Sequence, residues 1–276
     1  MSMSKTLYIS DLDGTLLNSS AEISSETQKM INRFISEGGY FSVATARTVA
    51  TAVPITQNIA VNVPVVLMNG VCIYDTVKKE YVKIENIPFE SLTEALSILH
   101  GFDLSGFMFS INGNVLDTYY ENLNSEHARE FYEERTRKFG KLFIKTDDFL
   151  KCTDKNIVYY SVTDRYEVLT EVYHALRNIR DIHIDFYRDV YREEYWYLEI
   201  SSSHASKYNA VNYIRNKYGF DRIIGFGDNL NDLPLFRACD GSYAVENAKE
   251  EVKNAASGII PSNNDNGVAL KICGYC

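Results

Sequence analysis

Apolar and polar positions alternate between two spacings along this chain. Thr6–Ser10 is a short run of strand formers. Ser24 is a fair helix cap, and Met30, Ile31, Phe34 and Ile35 then share one helical face until Gly38-Gly39. Tyr40–Ala44 is an apolar run of the buried, parallel kind. Thr48 opens another helix, and Pro64–Met68 is a third strand closed by Asn69-Gly70. Strand–helix–strand repetition predicts a parallel, doubly wound sheet.

The middle of the chain reads differently. A helix is expected over Glu90–Leu99, and the strands Phe107–Ile111 and Val115–Tyr119 flank a hairpin signal, Asn112-Gly113-Asn114. A helix near Ser125–Lys138, a strand Lys141–Ile144, a short helix near Asp147–Leu150 and a strand Asn156–Val162 follow. Then come a helix Tyr166–Asn178 and strands Ile182–Tyr187 and Tyr195–Ile200. Hairpins mixed with helices predict an antiparallel or mixed sheet with helices on one face, inserted into the first pattern. The last quarter returns to the opening style. Ser206–Lys217 is helical, Arg222–Phe226 is an apolar strand, Leu230–Arg237 is helical, Ser242–Val245 is a strand and Lys249–Ala256 a helix. The joints fall near 80–86 and 190–200, which gives a core in two parts, 1–83 and 195–276, around an insert at 84–194.

Composition narrows the function classes. The chain has 276 residues, 45% of them hydrophobic and 24% charged, enough for one large or two modest domains. A net charge of -9 argues against a general nucleic-acid binder. An anionic substrate would then need local cations. No apolar run approaches membrane-spanning length and no signal peptide is expected, so the chain reads as cytoplasmic, a monomer or weak homodimer. Cys72, Cys152, Cys239, Cys273 and Cys276 are too scattered for a disulfide framework, and the lone Cys273/Cys276 pair cannot close a four-ligand zinc site.

The candidate chemistry sits where strands end. Ser10-Asp11-Leu12-Asp13-Gly14-Thr15 follows the first strand, with two carboxylates one residue apart. Ligands bind at strand ends of open α/β sheets, and clustered acids need a cation or a shared proton. Thr45-Ala46-Arg47 follows the second strand, a hydroxyl with helix-start amides suited to a phosphate oxygen. Lys207 stands in the first turn of a helix, where the dipole disfavours it. Gly227-Asp228-Asn229-Leu230-Asn231-Asp232 ends another apolar strand in acids and amides. A calcium loop would need an oxygen ligand where Leu230 stands, and a G-x-G-x-x-G loop would need glycine there. Oxygen-rich ligands suit magnesium. Tyr187, Tyr191, Tyr195, Trp196 and Tyr197 cluster late in the insert, mostly as sheet core and surface.

These four stations resemble, in order, the motifs of the haloacid dehalogenase superfamily: DxDGT, a Ser or Thr, a lysine, and GDxxND. Nearly the whole chain is covered, and the pattern is similar to the Cof-type subclass, IIB, although alanine replaces the usual glycine of T-G-R at Ala46. The resemblance implies a Rossmann-like core with an inserted α+β cap that closes over the site. It implies a Mg2+-dependent phosphatase acting on a small phosphorylated metabolite, a sugar phosphate or phosphorylated cofactor, with no nucleic-acid or membrane partner. Asp11 would be the nucleophile, Asp13 the general acid/base kept protonated by its surroundings, and Lys207 the charge neutraliser. Leu12, Thr45, Arg47, Lys207 and Asn231 would hold phosphate. Asp11, the Asp13 carbonyl, Asp228 and Asp232 would hold the metal. Asn69 and Asn247 would face the substrate or form turns. A phosphosugar mutase and a non-catalytic phospho-metabolite-binding protein are the alternatives.

Overall fold

A computed structural model describes residues 5–152, 155–189, 192 and 194–275, and for 138 and 139 the backbone alone. The chain divides into two compact units, Met1–Lys83 with Ala205–Cys276, and Ile84–His204. The first unit begins with β1 (Thr6–Ser10), α1 (Ser25–Ser36), β2 (Tyr40–Val43), α2 (Val49–Thr56) and β3 (Val65–Leu67). Ser24 caps α1 by accepting from Thr27 N at 3.0 Å, and Ile31 is fully buried. After β3 the structure adds β4 (Cys72–Asp75) and β5 (Glu80–Ile84), a ribbon the apolar pattern had not announced. Its turn has no Asn-Gly signature. Asp75 Oδ1 instead accepts from Val77 N (3.0 Å) and Lys78 N (2.9 Å), and Lys79 takes a positive φ of 58°.

The second unit runs α3 (Phe89–Gly101), β6 (Phe107–Asn112), β7 (Val115–Tyr120), α4 (Glu126–Phe139), β8 (Ile144–Lys145), β9 (Ile157–Arg165), α5 (Tyr166–Leu176), β10 (Ile182–Arg188) and β11 (Tyr195–Ser202). Its sheet has the order β10-β11-β9-β6-β7-β8 and is antiparallel except between β7 and β8. The hairpin pairs Asn112 with Val115, and Gly113 supplies the positive φ, 59°. Leu92, Leu96 and Leu99 of α3 and Leu169, Val172 and Leu176 of α5 share a core with Met108, Tyr160, Val162, Leu198 and Ile200 of the sheet. On the opposite face Phe131 of α4 meets Phe107 at 4.8 Å.

Three details differ from the sequence expectations. The strand expected at Lys141–Ile144 is Ile144–Lys145, and the short helix expected at Asp147–Leu150 is a 3-10 turn at Phe149–Cys152. The return to the first unit comes at 205 rather than 195, because β11 pairs along its length with β9 and β10 and so belongs to the second unit.

The first unit resumes with α6 (Lys207–Tyr218), β12 (Arg222–Gly227), α7 (Leu233–Ala238), β13 (Gly241–Val245), α8 (Glu250–Ala255), β14 (Gly258–Ile260) and α9 (Gly267–Ile272). Its sheet has the order β14-β13-β12-β1-β2, parallel throughout, and a parallel bridge from Ala44 to Val66 brings β3 beside β2. Leu7, Ile9, Phe41, Val43, Ile223 and Phe226 are buried on these strands, the near-continuous apolar run of a sheet covered on both faces. Parallel strands put all their carboxyl ends on one edge, so β1, β2 and β12 deliver Asp11, Thr45 and Asp228 to the same side. Cys72, Cys152, Cys239 and Cys273 are free thiols; Cys276, like Tyr191, lies outside the described residues. Among the described residues no helix is long and apolar enough to cross a membrane.

Candidate active site

Asp11 leaves β1 with its backbone N–H bonded to Phe226 O at 3.0 Å, so β12 fixes its position. The chain then turns within Leu12–Leu16, closed by Leu17 N to Leu12 O at 2.8 Å. Gly14 sits at a φ of 77°, and a Cβ there would lie 2.5 Å from Asp228 Oδ2. Glycine is therefore required twice over, for the turn and for the approach of Asp228. Thr15 Oγ1 donates to Asp228 Oδ1 at 2.8 Å, which ties the first motif to the fourth.

Lys207 joins the acids. Its ammonium, 1% exposed, donates to Asp11 Oδ1 at 2.7 Å and to Asp232 Oδ1 at 2.6 Å. Asp232 Oδ2 accepts from Asp228 N (2.9 Å) and Asn229 N (3.1 Å), so this fully buried carboxylate holds both the loop and the lysine. Carboxylate oxygens of Asp11, Asp228 and Asp232 lie within 4.8 Å of one another.

Charge does not balance here: three carboxylates meet one ammonium. Burial pushes Asp11 up to about 8; Lys207 opposes that shift, while Asp232 and Asp228 add to it. Burial also drives Asp228 up to about 6, against the hydrogen bond from Thr15. Burial works against the charge of Lys207 too, yet Asp11 and Asp232 outweigh it and its pKa is raised. The two ends of the Lys207–Asp11 contact thus pull in different directions. The lysine, bridging two acids, is the charged member, and Asp11 carries the strain of surplus carboxylates. A divalent cation would relieve it. The donors are all hard oxygens, the set that fits magnesium rather than a thiolate-seeking or imidazole-seeking metal.

The other expected residues fall around this cluster. Thr45 is fully buried, and its Oγ1 accepts from Arg47 N at 3.2 Å. Thr45 O accepts from Asn69 N at 3.0 Å and Arg47 O from Met68 N at 3.1 Å, so the loops after β2 and β3 are laced together. Asn231 Nδ2 reaches Asn69 Oδ1 at 3.2 Å. Leu12 is fully buried as a whole residue. Asn247 is tied into the first loop, donating to Gly14 O at 2.7 Å.

Asp13 departs from the expected protected surroundings. Its side chain is 54% exposed, and Arg47 Nη2 and Nε donate to its two oxygens at 2.6 and 2.7 Å. That fork occupies the very group expected to donate a proton. Asn263, which no sequence signal marked, accepts the role of a strut: Nδ2 donates to Leu17 O at 2.8 Å and its N–H to Asn247 Oδ1 at 3.0 Å.

Parallel strands with carboxylates at their ends and a buried lysine between them form a site suited to phosphoryl transfer. A family model described as haloacid dehalogenase-like hydrolase matches residues 8–272. The chain belongs to that family, and it is an enzyme of the phosphatase type. Among curated proteins it is similar to the 5-amino-6-(5-phospho-D-ribitylamino)uracil phosphatase YitU of Bacillus subtilis, 23% identical over 262 residues that cover 94% of this chain and 93% of that one. Among solved structures it is similar to TM0651 of Thermotoga maritima, with a TM-score of 0.79, 23% identity and coverage of 98% and 97%. The subclass IIB sugar phosphatase BT4131 gives a TM-score of 0.72 at 19% identity, with coverage of 99% and 100%.

Proposed function

We propose that this chain is a magnesium-dependent phosphatase that hydrolyses a small phosphorylated metabolite through an aspartyl-phosphate on Asp11. The observation that carries the reading is the buried Lys207 ammonium, which holds Asp11 Oδ1 at 2.7 Å inside the cluster with Asp228 and Asp232. Fixing one oxygen of Asp11 aims the other. That oxygen attacks phosphorus in line as the bond to the leaving alkoxide breaks. The Asp11 and Asp228 carboxylates and the Asp13 carbonyl would hold the divalent cation, with Asp232 close by. When bound, the ion screens the repulsion between Asp11 and the substrate phosphate.

The phosphoryl oxygens meet Lys207, Thr45 Oγ1, the backbone of Leu12, Asn231 and Arg47. Arg47 has a second part. A phosphate competes for its guanidinium fork, so arrival of substrate would release Asp13 from the ion pair. The released Asp13 carboxylate takes up a proton from solvent and passes it to the leaving alkoxide, and then takes a proton from the water that cleaves the acyl phosphate. The name of the Bacillus subtilis relative and that of the subclass IIB sugar phosphatase support a phosphorylated cofactor precursor or a sugar phosphate as substrate class.

The test is phosphate release from a panel of phosphorylated metabolites, with and without Mg2+, for the native chain and Asp11→Asn. Release that needs Mg2+ and vanishes in the variant is expected. Undiminished turnover by Asp11→Asn rejects the nucleophile.

A further inference from the structure

The second unit holds another convergence of ligand-type side chains. His100 lies in the last turn of α3, Glu121 directly follows β7, and Asp148 precedes the 3-10 turn at Phe149–Cys152. Donor atoms of the three lie within 4.8 Å of one another. His100 Nε2 is 3.0 Å from Glu121 Oε1 and 3.1 Å from Oε2. Elements far apart in sequence converge here on one imidazole and two carboxylates.

Each donor is anchored by a buried neighbour. Leu99 precedes His100, Tyr119 stands two residues before Glu121, and Phe149 follows Asp148; all three belong to the core of this unit. Phe149 N also donates to Glu121 Oε1 at 2.6 Å, and the Glu121 side chain is only 10% exposed. The donors line a cleft of about 600 Å3. Its wall carries four carboxylates, Asp103, Glu121, Asp147 and Asp148, against two lysines, Lys145 and Lys151. The cleft therefore attracts cations. Ser105 lines both this cleft and a second, smaller cavity, and its hydroxyl finds no hydrogen-bond partner among the described residues.

We propose that His100, Glu121 and Asp148 form a second metal site, for a divalent transition ion such as Zn2+ or Co2+, with water completing the coordination. An imidazole beside carboxylates suits these ions better than magnesium. A bound ion would clip the end of α3 to β7 and to the loop after β8, and so stabilise the second unit by mass action. A plain His100–Glu121 ion pair is the competing account, and the choice of variants separates the two.

The test is a Co2+ titration of the Asp228→Asn protein, whose all-oxygen cluster is weakened, followed by visible absorption and heat. One equivalent bound with an imidazole-type spectrum is expected. His100→Gln can keep a hydrogen bond to Glu121 while removing the imidazole; on the same background it should bind at least tenfold more weakly. Zn2+ should raise the Tm of the Asp228→Asn chain but not that of the chain carrying both Asp228→Asn and His100→Gln. Absence of saturable Co2+ binding, or equal binding by His100→Gln with its fold intact by circular dichroism, overturns the site.

Discussion

The two compact units bury ionisable groups by opposite rules. The first encloses the Lys207 ammonium between the Asp11 and Asp232 carboxylates, ion against ion. The second surrounds a buried acid with hydroxyl donors instead of a counter-ion. On the sheet face that carries Tyr159 and Tyr187, burial pushes Glu199 upward, while hydrogen bonds from both tyrosines oppose it. Tyr159, Tyr187 and Tyr197 are themselves driven up by burial and stay neutral. Charge is thus concentrated where a phosphoryl group must be met. The insert offers neutral hydroxyls and rings, an environment that can vary without disturbing the reacting atoms.

Removing the bridging ammonium should break this contrast most severely. Lys207→Met leaves Asp11 and Asp232 buried without a counter-charge, at a cost of about 3–5 kcal/mol, and turnover should fall by about 10³-fold or more. Denaturant unfolding and phosphate release measure the two effects. Gly14→Ala should come next. The positive φ costs about 1–2 kcal/mol for a side chain, and the added Cβ displaces Asp228. We expect a drop in turnover with a larger Mg2+ requirement, read from activity against metal concentration.

Glu199→Gln sharpens the comparison from the other side. The folded-state pKa of Glu199 is raised, so the folded chain binds more protons than the unfolded one above the ordinary glutamate value. The stability that the acid contributes is present below that value and is lost as pH rises through the folded pKa. The native chain should lose stability relative to the variant as pH rises above the ordinary glutamate value of about 4.3, measured as the difference in Tm. Arg47→Ala should have the smallest effect on stability. Its partner Asp13 is half exposed, so the change should stay within about 1 kcal/mol. Turnover should fall with a higher KM, because the phosphate loses a contact while Asp13 loses its tether.

The legible parts of the chain were those fixed by local pattern. Apolar runs ending in Asp11 and Asp228 located two strand tips, and parallel pairing then brings them together, which Thr15 seals at 2.8 Å. Lys207 was readable from its spacing before the fourth motif more than from its place at the start of a helix, and its bridging of two acids was not. The Arg47–Asp13 fork joins residues 34 apart, and no local signal marks such a pair. The β4–β5 ribbon escaped because Asp75 makes its turn without glycine. The edge of the second unit was expected at 195 because β11 is claimed partly by β9, 30 or more residues upstream, beyond the reach of periodicity.

The central claim is covalent. Acid quenching during turnover, followed by peptide mapping, should find a hydroxylamine-sensitive phosphoryl group on Asp11, and none in Asp11→Asn. Steady turnover with no trapped phosphoryl group, or one carried by a different residue, would contradict it.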